Sequence, residues 1–90
     1  MSSQMNEYLR RIHEQRLAAA DESRKKLVKA QETIVRRSKA FVDGTGSYTA
    51  AQRSADARAI KEAMAQHTLA IKAILDIERE IPRLDADTTA

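Results

Sequence analysis

Ninety residues with sixteen Lys or Arg against thirteen Asp or Glu, a net +3, and one Phe, two Tyr, no Trp and no Cys make one small basic domain whose core must be aliphatic. The absence of cysteine excludes a disulfide framework and a thiolate metal site, and fits a reducing compartment. An apolar fraction of 42% beside 32% charged residues is too hydrophobic for a disordered chain and matches long amphipathic helices.

The chain opens Met1-Ser2-Ser3-Gln4-Met5-Asn6-Glu7, without the cationic start and apolar run of a signal peptide. No stretch approaches the roughly 20 apolar residues of a membrane span. These features lead to the expectation of a cytoplasmic protein with no membrane partner. The first helical pattern covers about residues 3–42. On a wheel at 100° per residue, Met5, Leu9, Ile12, Ala20, Ser23, Leu27, Ala30, Ile34 and Phe41 fall in one stripe. A second row, Leu17, Val28, Val35 and Val42, lies to one side of it, its last three members spaced by seven.

Helix 1 is also the basic half. Residues 1–42 hold ten cations against five carboxylates, and residues 43–90 hold six against eight, giving +5 and −2. Lys25, Lys29, Arg36 and Lys39, with Arg11 further along, point away from the stripe, and Lys25, Lys29, Arg36, Arg37 and Lys39 form the candidate contact for nucleic acid or another anion. Interleaved Glu7, Glu14, Glu22 and Glu32 favour an ordinary solvated face instead.

The segment 43–48, Asp-Gly-Thr-Gly-Ser-Tyr, reads as a turn. Gly44-Thr45-Gly46-Ser47 is too short, and lacks the following Lys, for a phosphate-binding Walker loop. Thr49-Ala50-Ala51-Gln52 fits a capping box and opens a second helix over 49–81. The stripe expected there is Ala57, Ile60, Met64, His67, Ile71, Ile74, Glu78 and Ile81, flanked by a row of small residues that includes Ala59, Ala63 and Ala70 and is closed by Ile77. Pro82 is expected to end the helix, leaving 83–90 as a flexible polar tail.

A short turn makes the two helices antiparallel neighbours, so facing residues have nearly constant index sums. A sum near 94 sets small against large side chains along the seam and brings Arg16 to Glu78, a structural ion pair that relieves two lone seam charges. The expected architecture is therefore all-α: a long antiparallel two-helix hairpin over 1–82, coiled-coil-like, completing a helical bundle by homo-oligomerisation. The rows left over, Leu17, Val28, Val35 and Val42 with Ala59, Ala63, Ala70 and Ile77, are the expected oligomer or partner interface, a dimer first.

Chemistry is sparse. His13 and His67 fall in layers about 20 Å apart on one hairpin, too far to share a metal. His67 on an apolar seam reads as a core residue hydrogen-bonded to Ser23 or to a neighbouring chain. No nucleophile–base spacing or concave scaffold is visible, so no catalytic residue, metal or cofactor is assigned. The function expected is a non-enzymatic protein-interaction or assembly module acting as structural component, adaptor, chaperone or inhibitor. A nucleic-acid or nucleotide-binding bundle using the basic face of helix 1 is the alternative.

Overall fold

The computed structural model describes the backbone of residues 2–89 and the side-chain surroundings of residues 6–81, so the seam position expected for Met5 lies outside the described residues. Two helices, α1 (Ser2–Val42) and α2 (Ala50–Thr89), pack against each other with no strand among the described residues. They form a hairpin-like rod of 67 × 16 × 14 Å.

The helices turn through two caps that the local sequence dictates. At the end of α1 the amide of Gly44 donates to the Phe41 carbonyl at 3.2 Å, and that of Thr45 donates to the Ala40 carbonyl at 2.9 Å. This is a Schellman motif, and it needs a left-handed residue: Gly44 sits at φ 75°. At the start of α2 the amide of Gln52 donates to Thr49 Oγ1 at 3.2 Å, and the amide of Thr49 donates to Gln52 Oε1 at 3.0 Å. The reciprocal pair satisfies two donors that a helix start leaves open.

Pro82 does not end α2. The helix runs on to Thr89. A proline forfeits one backbone hydrogen bond, but its fixed φ is helical and the following Arg83-Leu84-Asp85-Ala86-Asp87 holds no glycine or second proline.

The register also differs from the expected one. Three cross-helix contacts define it: Ser23 Oγ to His67 Nδ1 at 2.8 Å, His13 Nε2 to Glu78 Oε1 at 3.0 Å, and Arg16 to the Ala73 carbonyl at 2.7 Å. Their index sums of 90, 91 and 89 centre on 90 rather than 94, and the contact of Arg37 with Asp56 next to the turn, with a sum of 93, lies nearer the expected value. Sheltered positions on α1 accordingly run Leu9, His13, Arg16, Ala20, Ser23, Leu27, Ala30, Ile34, Arg37, and on α2 Asp56, Ile60, Ala63, His67, Ala70, Ile74, Ile77, Ile81, each alternating steps of three and four. The α2 stripe is thus turned toward its small-residue row. Ile77 is only 6% exposed while Met64, expected in the seam, is 54% exposed. Alanines at the contact line let two backbones approach closely, which favours burying Ala63 and Ala70 over the bulkier Met64 and Ile71.

The shift dissolves the expected Arg16–Glu78 pair. Arg16 donates instead to the Ala73 carbonyl, and Glu78 receives His13. A guanidinium spends its donors as well on a carbonyl as on a carboxylate, and a half-exposed Glu78 needs no buried partner.

Two substitutions test the turn. Gly44→Ala forces a side chain into the left-handed region and should cost about 1 kcal/mol, and Thr49→Ala, which removes the cap acceptor, should cost about 1 kcal/mol, both read from denaturant melts. Unchanged midpoints in both variants would show that the caps do not fix the hairpin.

Candidate functional site

Four features of the rod carry polar chemistry or exposed apolar surface. The first is a buried polar layer. The Ser23 hydroxyl lies 2.8 Å from the Ala20 carbonyl and 2.8 Å from His67 Nδ1, so one side chain bridges its own helix and the seam histidine. The expected Ser23–His67 contact is therefore present, and His67 is engaged inside the seam. His13, facing Glu78, lies in a separate layer. Among the described residues no group of three or more His, Asp or Glu side chains is placed to hold a metal ion.

The second is an ion pair near the turn that sequence periodicity does not reveal. Asp56 is buried, 8% exposed, at the seam position closest to the turn in α2. Arg37 donates to its Oδ1 at 2.6 Å and Tyr48 donates to its Oδ2 at 2.9 Å. Both carboxylate oxygens are thus engaged, which is the condition under which a buried charge is tolerated. Desolvation, then the bond to Asp56, raises the Tyr48 phenol above its ordinary value of 10.0. Residue type offered one signal: Arg37 and Asp56 are opposite charges whose index sum of 93 is close to the expected register of 94.

The third is the basic surface of α1. Arg37, a candidate anion contact, is spent on Asp56. Lys25 is held by Asp21 at 3.2 Å and Glu22 at 3.4 Å, and the hydrogen bond to Asp21 raises its pKa above the ordinary 10.5. Asp21 is correspondingly lowered, by hydrogen bonds from Arg24 and Lys25. Lys29, Arg36 and Lys39 remain as exposed cations with no carboxylate within 4.0 Å among the described residues. At the turn itself the Arg53 guanidinium lies 5.4 Å from the Phe41 ring and 5.2 Å from the Tyr48 ring, beside an open recess of about 500 Å³ lined also by Ser38 and Val42. Such stacking pins the turn across the two helices.

The fourth is the exposed apolar surface, and it is one-sided. On α1, positions one and four after the seam residues His13, Ala20, Leu27 and Ile34 include Leu17, Val28 and Val35, and Val42 follows Val35 by one heptad; on α2 the same offsets from Ile60, His67 and Ile74 give Met64, Ile71 and Leu75. All seven are exposed. In an antiparallel pair the helices are related by an axis perpendicular to their common plane, so flanks of the same rotational sense share one face. Leu17, Val28, Val35 and Val42 thus keep their expected place on an open surface. Their expected partners on α2 do not: Ala63, Ala70 and Ile77 are consumed in the hairpin seam, and Ala59, although exposed, belongs to the opposite flank. Among the described residues, the large exposed apolar ones on that opposite face are Tyr8 and Leu69, with Phe41 at the turn.

No described helix is long and apolar enough to cross a membrane. Comparison with known protein families, curated proteins and solved structures gives no match for this chain.

The ion pair generates two expectations. Asp56→Ala leaves Arg37 half-buried and Tyr48 without an acceptor, and should destabilise by about 2 kcal/mol, more than Arg37→Met with Asp56→Leu together. Equal losses in the two proteins would remove the pair from the account of stability. Because the folded-state pKa of Tyr48 is raised, its contribution is complete below pH about 10 and is lost as the pH climbs through the folded value. An ultraviolet titration should place Tyr48 ionisation higher than in Asp56→Asn; coincident curves would show that Asp56 has no such effect.

Proposed function

We propose that this chain is a non-enzymatic assembly module: a coiled-coil-like hairpin that self-associates into a helical bundle, a dimer first, and serves as a structural component, adaptor, chaperone or inhibitor for another protein. The observation that carries the reading is the one-sided apolar face. Seven large apolar side chains share one long face of a rod whose described residues include just four buried apolar ones, Ala20, Ala63, Ile74 and Ile77. Soluble monomers rarely expose a contiguous patch of that kind without a partner for it.

The area supports the same reading. The chain exposes 6965 Å², whereas a compact monomer of 10.1 kDa exposes about 5,300 Å². The surplus exceeds the roughly 800 Å² per partner of a standard interface. Two helices have one line of contact, so burial is completed by adding helices, and a second hairpin is the smallest addition that closes a bundle.

The alternative of nucleic-acid binding rests on Lys29, Arg36 and Lys39, the members of the expected contact that form no ion pair among the described residues. Phosphate contacts need only such a row, but the loss of Lys25 and Arg37 to carboxylates shortens it.

Size-exclusion chromatography with light scattering at micromolar concentration tests both. The expected mass is twice the 10.1 kDa of one chain. Val35→Asp or Met64→Asp should abolish the dimer, whereas Ala59→Asp on the opposite flank should leave it intact. A well-folded monomer overturns the self-assembly reading. Co-elution with added nucleic acid that weakens steeply with salt would favour the alternative.

A further inference from the structure

We infer that the second copy lies parallel to the first, turn beside turn, with each α1 stacked over the partner's α2; this rests on the assembly reading above and fixes its geometry. Two hairpins pressed together by the same face must be related by a twofold axis in the plane between them, and only two directions exist: along the rod or across it. The axis along the rod stacks α1 on the partner's α2 at equal height. The axis across it reverses the partner and stacks α1 on α1.

Side-chain matching separates the two. Residues at equal height have index sums near 90. With the axis along the rod, Leu17 therefore meets the partner's Ile71 and the partner's Leu75, Val28 meets the partner's Met64, and Val35 stands over the partner's Ala57. Leu17, Val28 and Val35 thus find apolar layers, while Val42 stands at the height of Tyr48 in the turn. With the axis across the rod, centred on the face near residue 26 of α1, Leu17 still meets the partner's Val35, but Val28 meets the partner's Arg24 and Val42 the partner's Arg10. Guanidinium groups would then cover methyl groups.

Charge favours the other choice, and more weakly. Residues 29–61 carry seven Lys or Arg against three Asp or Glu, so the parallel pair brings two ends of +4 together. Most of that charge lies off the contact: Lys29 and Arg36 occupy the opposite flank and Lys39 and Arg58 the outer edges of the rod. Solvent-exposed charges there are screened over about 8 Å at physiological salt. The apolar match decides, and both basic turns then share one end of the bundle.

The chain has no cysteine, so introduced ones report position without background. Leu17→Cys mixed with Leu75→Cys under mild oxidation should give a disulfide-linked heterodimer. Leu17→Cys mixed with Val35→Cys should not, because 18 residues of helix hold those positions roughly 27 Å apart along a parallel pair. A 17–35 link without a 17–75 link overturns the parallel arrangement and establishes the crossed axis, while the assembly reading survives. A dimer by light scattering that gives neither link overturns the docking face. A monomer overturns the assembly reading itself, and the arrangement with it.

Discussion

Two helices touch along a single line, and everything else in this molecule follows from which side chains occupy it. An α-helix presents a stripe roughly 100° wide to one neighbour. Most of its circumference therefore stays in solvent unless more helices arrive. The described chain has no side chain large and fully enclosed, and its buried apolar residues are Ala20, Ala63, Ile74 and Ile77. With so thin a core, polar contacts specify what packing alone leaves degenerate. Ser23 to His67, Arg16 to the Ala73 carbonyl, and Arg37 with Tyr48 on Asp56 are spread along the seam, and each makes sense in one register only. A slide by one heptad step would set the Asp56 carboxylate against Leu27 or Phe41 and His67 against Arg16 or Ala30. Buried polar groups punish such a slide more sharply than a change of aliphatic partners does.

The helices, the turn and the capping box were legible because each is local. Thr49 and Gln52 stand three residues apart and interact whatever the rest of the chain does. The register was not legible in the same way. Sums of 90 and 94 differ by about one helical turn, and both place aliphatic residues opposite one another, so periodicity cannot rank them. Hydropathy favoured Met64 and Ile71 for the α2 seam over Ala63 and Ala70. Close approach of two helices favours the alanines. The same rotation explains why the α1 half of the exposed apolar surface was readable, since Leu17, Val28, Val35 and Val42 do not depend on where α2 stands, while the α2 half was misplaced by one flank.

Asp56 shows a different limit. An isolated carboxylate in a helix is ordinarily solvated, and nothing within four residues of it on α2 marks it as buried. Its two partners are Arg37 from the other helix and Tyr48 from the turn, so the evidence for its role is wholly non-local. Arg37 was misread for the same reason: in sequence it continues a basic run with Arg36 and Lys39, and only the register separates the one that turns inward from the two that do not. A basic stretch on an amphipathic helix is thus not a single electrostatic surface. Each cation belongs to whichever flank its index assigns.

Stability and assembly are coupled through this division of residues. The seam uses α2 residues that hydropathy alone would have left for a partner, and in doing so releases Met64, Ile71 and Leu75 to the surface beside the valines of α1. An isolated hairpin gains a specific polar seam but buries little apolar area. Closing a bundle adds apolar burial at about 25 cal/mol per Å² without disturbing any seam contact, because the docking flank lies one and four residues beyond the seam positions and contributes none of the buried hydrogen bonds. The seam therefore sets which hairpin forms, and under the proposed assembly the flank would set how many hairpins join. A helix pair arranged in this way tolerates changes on the exposed flank while keeping its fold, since seam and flank do not overlap.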